Sequence, residues 1–97
     1  MNQIICNAIK NRSVLKFTYD GCPRVVEPHA YGLSRAENEV IRCYQTGGIS
    51  RSGTVPDWRL MDVSKIEFLT VTGEHFVGER TGYVRGDKGM PTIFCEL

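Results

Sequence analysis

The chain begins with a helical spacing. Ile4, Ile5, Ala8 and Ile9 share one face over residues 3–11, and Gln3, Asn7 and Lys10 share the other. Asn2 stands where a helix-capping side chain is wanted. One amphipathic helix of about ten residues is marginal in water, so it must pack on something. From residue 14 the period drops to two: Leu15, Phe17 and Tyr19 alternate with Lys16 and Thr18, the pattern of a half-buried strand. Asp20-Gly21 follows, and its tolerance of positive φ predicts a two-residue hairpin, with residues 24–27 returning as the second strand.

Pro28 has no amide to give a ladder, so the chain is expected to bend there or run along an edge. Residues 29–33 predict a third strand, 34–38 a turn, and 39–45 a fourth strand. On that strand Ile41 and Cys43 point one way, and Val40, Arg42 and Tyr44 the other. Glycines and serines mark 46–54 as a loop. Residues 58–61 and 65–71 predict two more strands, and beyond 72 only Ile93-Phe94-Cys95 has strand character. There is no internal repeat. One helix and five or six short, turn-linked strands predict a mainly β fold: a small antiparallel barrel over 14–71, a helix over 3–11 and a C-terminal extension over 72–97. Leu15, Phe17, Tyr19, Val26, Ile41, Cys43, Leu60, Ile66 and Phe68 are its expected core.

Composition narrows the function. At 97 residues, 41% hydrophobic and 24% charged, the chain is expected to form a single globular domain, 1–97. A net charge of +1 lacks the basic excess of a protein that coats duplex DNA, so an anionic ligand must be held by a local site. Eight of the twelve basic residues are Arg, the side chain suited to bidentate phosphate recognition. No apolar run is long enough to span a membrane and no secretory leader is visible, which predicts a cytoplasmic protein. Cys6, Cys22, Cys43 and Cys95 lack metal-ligand spacing and, in that compartment, are expected to stay reduced. No metal or cofactor is expected.

The stretch richest in chemistry runs from Arg42 to Gly53. A strand with Arg42 and Tyr44 on one face enters a loop that carries Gln45, Thr46, Gly47, Ser50 and Ser52. Glycines let backbone amides approach an anion, hydroxyls add donors, Arg42 offers a charged fork and Tyr44 a stacking face. The plainer reading is a flexible loop between strands, with Arg42 paired to a carboxylate. The Walker-type phosphate loop is absent.

Three runs resemble the WYL domain family: Ala8 to Arg12, Leu15 to Gly21 and Arg24 to His29, in that order. The later Glu39 to Gln45 and Trp58 to Ile66 fit its second half. The Trp-Tyr-Leu triplet that names the family falls on Glu39-Val40-Ile41, which keeps only the aliphatic third position. The resemblance implies an Sm-like or SH3-like barrel that binds a nucleic-acid-derived ligand, such as a cyclic or short oligonucleotide, in a bacterial or phage-infected cell. It places Arg24 at a basic position within reach of a phosphate. His29 is a further ligand-binding candidate, against its plainer role as a hydrogen-bonded turn histidine. Trp58 is expected in the core, with Arg59 alternating outward toward the ligand. Arg80, Tyr83, Arg85 and Lys88 lie among glycines and form either an arm over a pocket or neighbouring subunit, or a solvated tail.

The expected function is therefore non-catalytic binding of a nucleotide-derived signal, by sequestration or as a regulatory sensor, with no duplex DNA bound by the chain itself. Exposed strand edges predict a homodimer or higher homo-oligomer. A single-stranded RNA binder and a protein-partner module are the alternatives. An enzyme built on Cys22 with His29, or on Glu74 with His75, has no surrounding motif to support it.

Overall fold

In the computed structural model, which describes residues 2–51 and 53–97, helix α1 spans Gln3–Asn11. The Asn2 side chain accepts from the Ile4 and Ile5 amides, and Arg12 ends the helix at a left-handed φ of 54°. Ile5, Cys6, Ala8 and Ile9 are buried, whereas Ile4, expected on the same face, is exposed. The strands are β1 (Ser13–Tyr19), β2 (Cys22–Leu33), β3 (Glu39–Gly48), β4 (Asp57–Asp62), β5 (Ile66–His75) and β6 (Thr92–Glu96). All pairings are antiparallel, in the order β4-β3-β2-β1-β5, with β6 also on β2. The mainly β fold with an N-terminal helix is as expected. Closure into a barrel is not found: among the described residues no ladder joins β4 to β5.

The Asp20-Gly21 hairpin forms with both residues at positive φ, 52° and 71°. Strand β2 organises the rest. It pairs with β3 along nearly its whole length, with β1 up to Val26, and with β6 from Ala30 onward. Pro28 and His29 lie in the gap between those two partners, where β2 also bulges against β3, so no new strand starts at 29. At Gly32 an added Cβ would collide with the Thr92 carbonyl, so β6 can lie this close only because that residue has no side chain.

The core gathers α1 against Leu15, Phe17, Val26, Tyr31, Ile41, Cys43 and Met61. Two expected members are outside it, Leu60 at 42% exposure and Phe68 at 81%. Leu60 pairs with Arg42 on the outer face of the sheet. Phe68 sits at φ 57° where β5 carries an extra residue against β1, and that bulge turns its ring to solvent.

Residues beyond 72 are no mere extension. Phe76 and Met90 are buried, the Phe76 amide donates to the Arg12 carbonyl at 2.9 Å, and β6 completes the sheet beside α1. There Cys6 and Cys95 form a disulfide across a Cα separation of 5.8 Å, so the expectation of four reduced thiols is corrected for this pair. Their distance along the chain hid it. Cys22 and Cys43 are free and buried, and burial pushes the Cys43 thiol up to about 12.

Candidate functional site: an arginine-lined cavity at the end of the sheet

Alternation on β3 and β4 sorts the polar side chains onto two faces. Gln45 follows Ile41 and Cys43 inward, and β4 adds Arg59, opposite Cys43, and Met61, opposite Ile41. Arg24 enters the same side from β2, two residues before the buried Val26. At this end the apolar core gives way to a cavity of about 130 Å³ lined by Tyr19, Asp20, Arg24, Ser50, Arg51, Arg59, Leu60 and Met61.

Each guanidinium here is held mainly by neutral oxygens. Arg24, only 5% exposed, donates from Nη1 to Gln45 Oε1 and from Nη2 to the Tyr19 carbonyl, both at 3.2 Å, and lies 5.5 Å from the Tyr19 ring centroid. Among the described residues no carboxylate pairs with it, and its buried Nε has no partner. Arg59 donates to the Trp58 and Thr54 carbonyls, and its Nε is likewise buried and unpartnered. Among the described residues its one ion pair is a loose 3.5 Å contact with the exposed Asp57, outside the cavity lining. Arg51 Nε donates to the Asp20 carbonyl at 2.9 Å, which lays its side chain over the hairpin turn. A buried, uncompensated charge costs several kcal/mol, and an entering anion removes that cost.

Gln45 fixes this geometry. Besides holding Arg24, its Nε2 donates to the Gly47 and Ile49 carbonyls, at 3.0 and 3.2 Å. The glycines serve packing rather than an amide cradle. Gly47 and Gly48 continue β3 beside Val25 and Arg24, and a Cβ at Gly48 would strike the Pro23 carbonyl. Thr46 is half-buried, with Oγ1 3.5 Å from the Val25 carbonyl. Ser52 lies outside the described residues.

Across the sheet, Arg42, Tyr44 and His29 lie on a face covered by residues 76–90. Arg42 donates twice to Asp87, at 2.6 and 3.2 Å, and this pairing holds the Asp87 carboxyl below the usual carboxylate range. Arg80 donates twice to Glu27, at 2.7 and 2.9 Å, while its guanidinium lies 4.9 Å from the Tyr44 ring centroid. His29 is fully buried among Trp58, Phe76 and Tyr83. Its Nε2 accepts from the Arg80 amide, so Nδ1 carries the proton and donates to the Glu27 carbonyl at 2.9 Å. Burial is the main cause that lowers its pKa.

The strand phase expected of Trp58 and Arg59 is reversed. Trp58 pairs with Tyr44 on the covered face, half-buried, and Arg59 faces the cavity. The structure thus brings Arg24, Gln45, Ser50 and Arg59 together and separates them from His29, Arg42 and Tyr44. Arg51, Asp20 and Tyr19 are cavity residues not singled out from the sequence. Arg51 was signalled by its place between two serines, but Asp20 and Tyr19 read only as strand and turn. Arg80 and Tyr83, expected on an arm over a pocket or neighbouring subunit or in a solvated tail, instead lie against the chain's own sheet, on Glu27, His29 and Trp58.

Cys22 and His29 stand seven residues apart on one strand, roughly 20 Å at strand rise, and Glu74 and His75 are exposed at the end of β5. Among the described residues no group of three or more His, Cys, Asp or Glu side chains is arranged to hold a metal, and no helix is long and apolar enough to cross a membrane. No protein-family model, curated protein or solved structure matches this chain.

Proposed function

We propose that this protein binds a phosphorylated, nucleotide-derived ligand without changing it, as a sequestering or sensor module, and seats a phosphate among Arg24, Arg51, Arg59 and Ser50. The observation that carries this reading is the Arg24 guanidinium: 5% exposed, oriented by neutral oxygens, and free of any carboxylate among the described residues. The resemblance to WYL domains supports a short or cyclic oligonucleotide as the ligand class. It also supports reading the bent sheet, with β2 shared between β1, β3 and β6, as a small Sm-like barrel left open between β4 and β5.

Incubation with a panel of cyclic and linear nucleotides, followed by heat denaturation and mass analysis of what is released, tests the reading. An intact, previously bound nucleotide supports it. A cleaved product would establish an enzyme, and no binding to any member would overturn it. Arg59→Ala removes a charge-assisted contact worth roughly 1.5–3 kcal/mol, so affinity should fall about tenfold or more while the fold is kept.

A further inference from the structure

Resting on that reading of the cavity, we infer that the group it accepts is a terminal phosphate monoester, a dianion, and not a bridging or cyclic diester. The first argument is charge. The lining carries three guanidiniums, from Arg24, Arg51 and Arg59, against one carboxylate, Asp20, a net of +2. Backbone and amide oxygens orient these arginines without cancelling them: Tyr19 and Gln45 for Arg24, Asp20 for Arg51, Trp58 and Thr54 for Arg59. Asp57 touches Arg59 from outside and is half exposed, so solvent weakens its claim. A monoester carries close to two negative charges at pH 7, and a diester carries one. A monoester matches this surplus more closely than a diester does.

The second argument is size. At about 130 Å³ the cavity has room for one small group and not for a whole nucleotide. Pockets that enclose a whole small ligand start near 300 Å³. A monoester enters with three bare oxygens forward and its single carbon substituent trailing toward the Ser50–Arg51 rim. A diester carries carbon on two of its four oxygens and must bring both substituents into the same space. The ligand is then a mononucleotide or a short oligonucleotide with a phosphorylated end.

The pH dependence follows from the ligand. No histidine is among the residues lining the cavity. The second proton of a phosphate monoester returns near pH 6, whereas a diester does not titrate there.

The test is calorimetric titration of the full chain with matched pairs: each common nucleoside 5′-monophosphate beside its 3′,5′-cyclic monophosphate, and a dinucleotide with and without a 5′-phosphate. The expected result is a preference of about tenfold or more for the monoester, narrowing as pH falls from 7.5 to 5.5. Asp20→Asn, which keeps a residue suited to positive φ, should tighten monoester binding severalfold. Arg51→Gln at the exposed rim should weaken the monoester more than the diester. Equal or tighter binding of the cyclic or unphosphorylated member, or an Arg51→Gln loss shared equally, overturns the monoester inference and leaves phosphate binding standing. Failure of every member to bind overturns the phosphate reading with it.

Discussion

On the covered face, Arg42 and Arg80 each hold a carboxylate through two hydrogen bonds. Across the same strands, Arg24 and Arg59 are held chiefly by neutral oxygens, and each keeps a buried Nε with no partner among the described residues. The side-chain type is the same and the outcome opposite. Where Asp87 and Glu27 meet the guanidiniums, the positive charge is spent inside the molecule and ties residues 76–90 to the sheet. Where carbonyls and the Gln45 amide do most of the holding, with a loose Asp57 contact on Arg59, direction is fixed and charge is left over. An arginine signals an anion site by what fails to neutralise it, and the loop glycines that attract attention in the sequence contribute packing.

The largest effect that separates the two regions should come from the Cys6–Cys95 disulfide, which anchors β6 just after the covering segment. A chain-entropy estimate for so long a loop gives about 4.6 kcal/mol as an upper figure, and urea denaturation with and without reductant should show a loss of about 2–4 kcal/mol. Affinity at the cavity, measured on the reduced but folded protein, should hardly change. Next is Arg24→Met. It should reduce nucleotide affinity by about 100-fold, roughly 2.7 kcal/mol, and abolish the ligand-induced rise in Tm expected of the unaltered protein. A variant that still binds within a few-fold would erase the contrast between the faces.

Asp87→Asn is the converse experiment. Losing one partner of a partly buried ion pair should cost about 1–2 kcal/mol in denaturant stability while leaving nucleotide affinity within twofold. A large loss of binding would instead bring Arg42 into the ligand site.

The smallest effect is a pH slope from His29. Its folded pKa lies below the ordinary 6.5, so the unfolded chain takes up a proton first as pH falls. Stability from this residue is complete above about 6.5 and is lost as pH descends toward the depressed folded value, at no more than about 1.4 kcal/mol per pH unit. His29→Gln should flatten that slope in melts between pH 7.5 and 5, and an unchanged slope would assign it to another group.

Local elements were legible wherever local chemistry decides. The Asn2 cap, the Asp20-Gly21 hairpin and the inward phase of Ile41 and Cys43 follow from helix termini, turn φ values and the period of two, and the structure has all three. The candidate site was legible in part. Arg24, Gln45, Ser50 and Arg59 were named, yet as one surface with Arg42 and Tyr44, because alternation fixes relative phase along a strand but not which side another strand's residue shares. Trp58 and Arg59 came out exchanged for that reason. The register that sets Tyr44 opposite Trp58 and Cys43 opposite Arg59 is a property of the pair.

The sequence by itself determined a mainly β chain with one capped helix, a defined first hairpin and a surplus of arginine without a surplus of charge. Tertiary structure alone decided which arginines are neutralised. Asp87 is 45 residues from Arg42 and Glu27 is 53 from Arg80, and these pairs meet because the chain returns over the β2–β3–β4 face before β6 docks on β2. Arg24 meets Gln45, 21 residues away, and among the described residues pairs with no carboxylate. Coulomb attraction between such groups acts over a few ångströms, and only the folded path of the chain sets those distances.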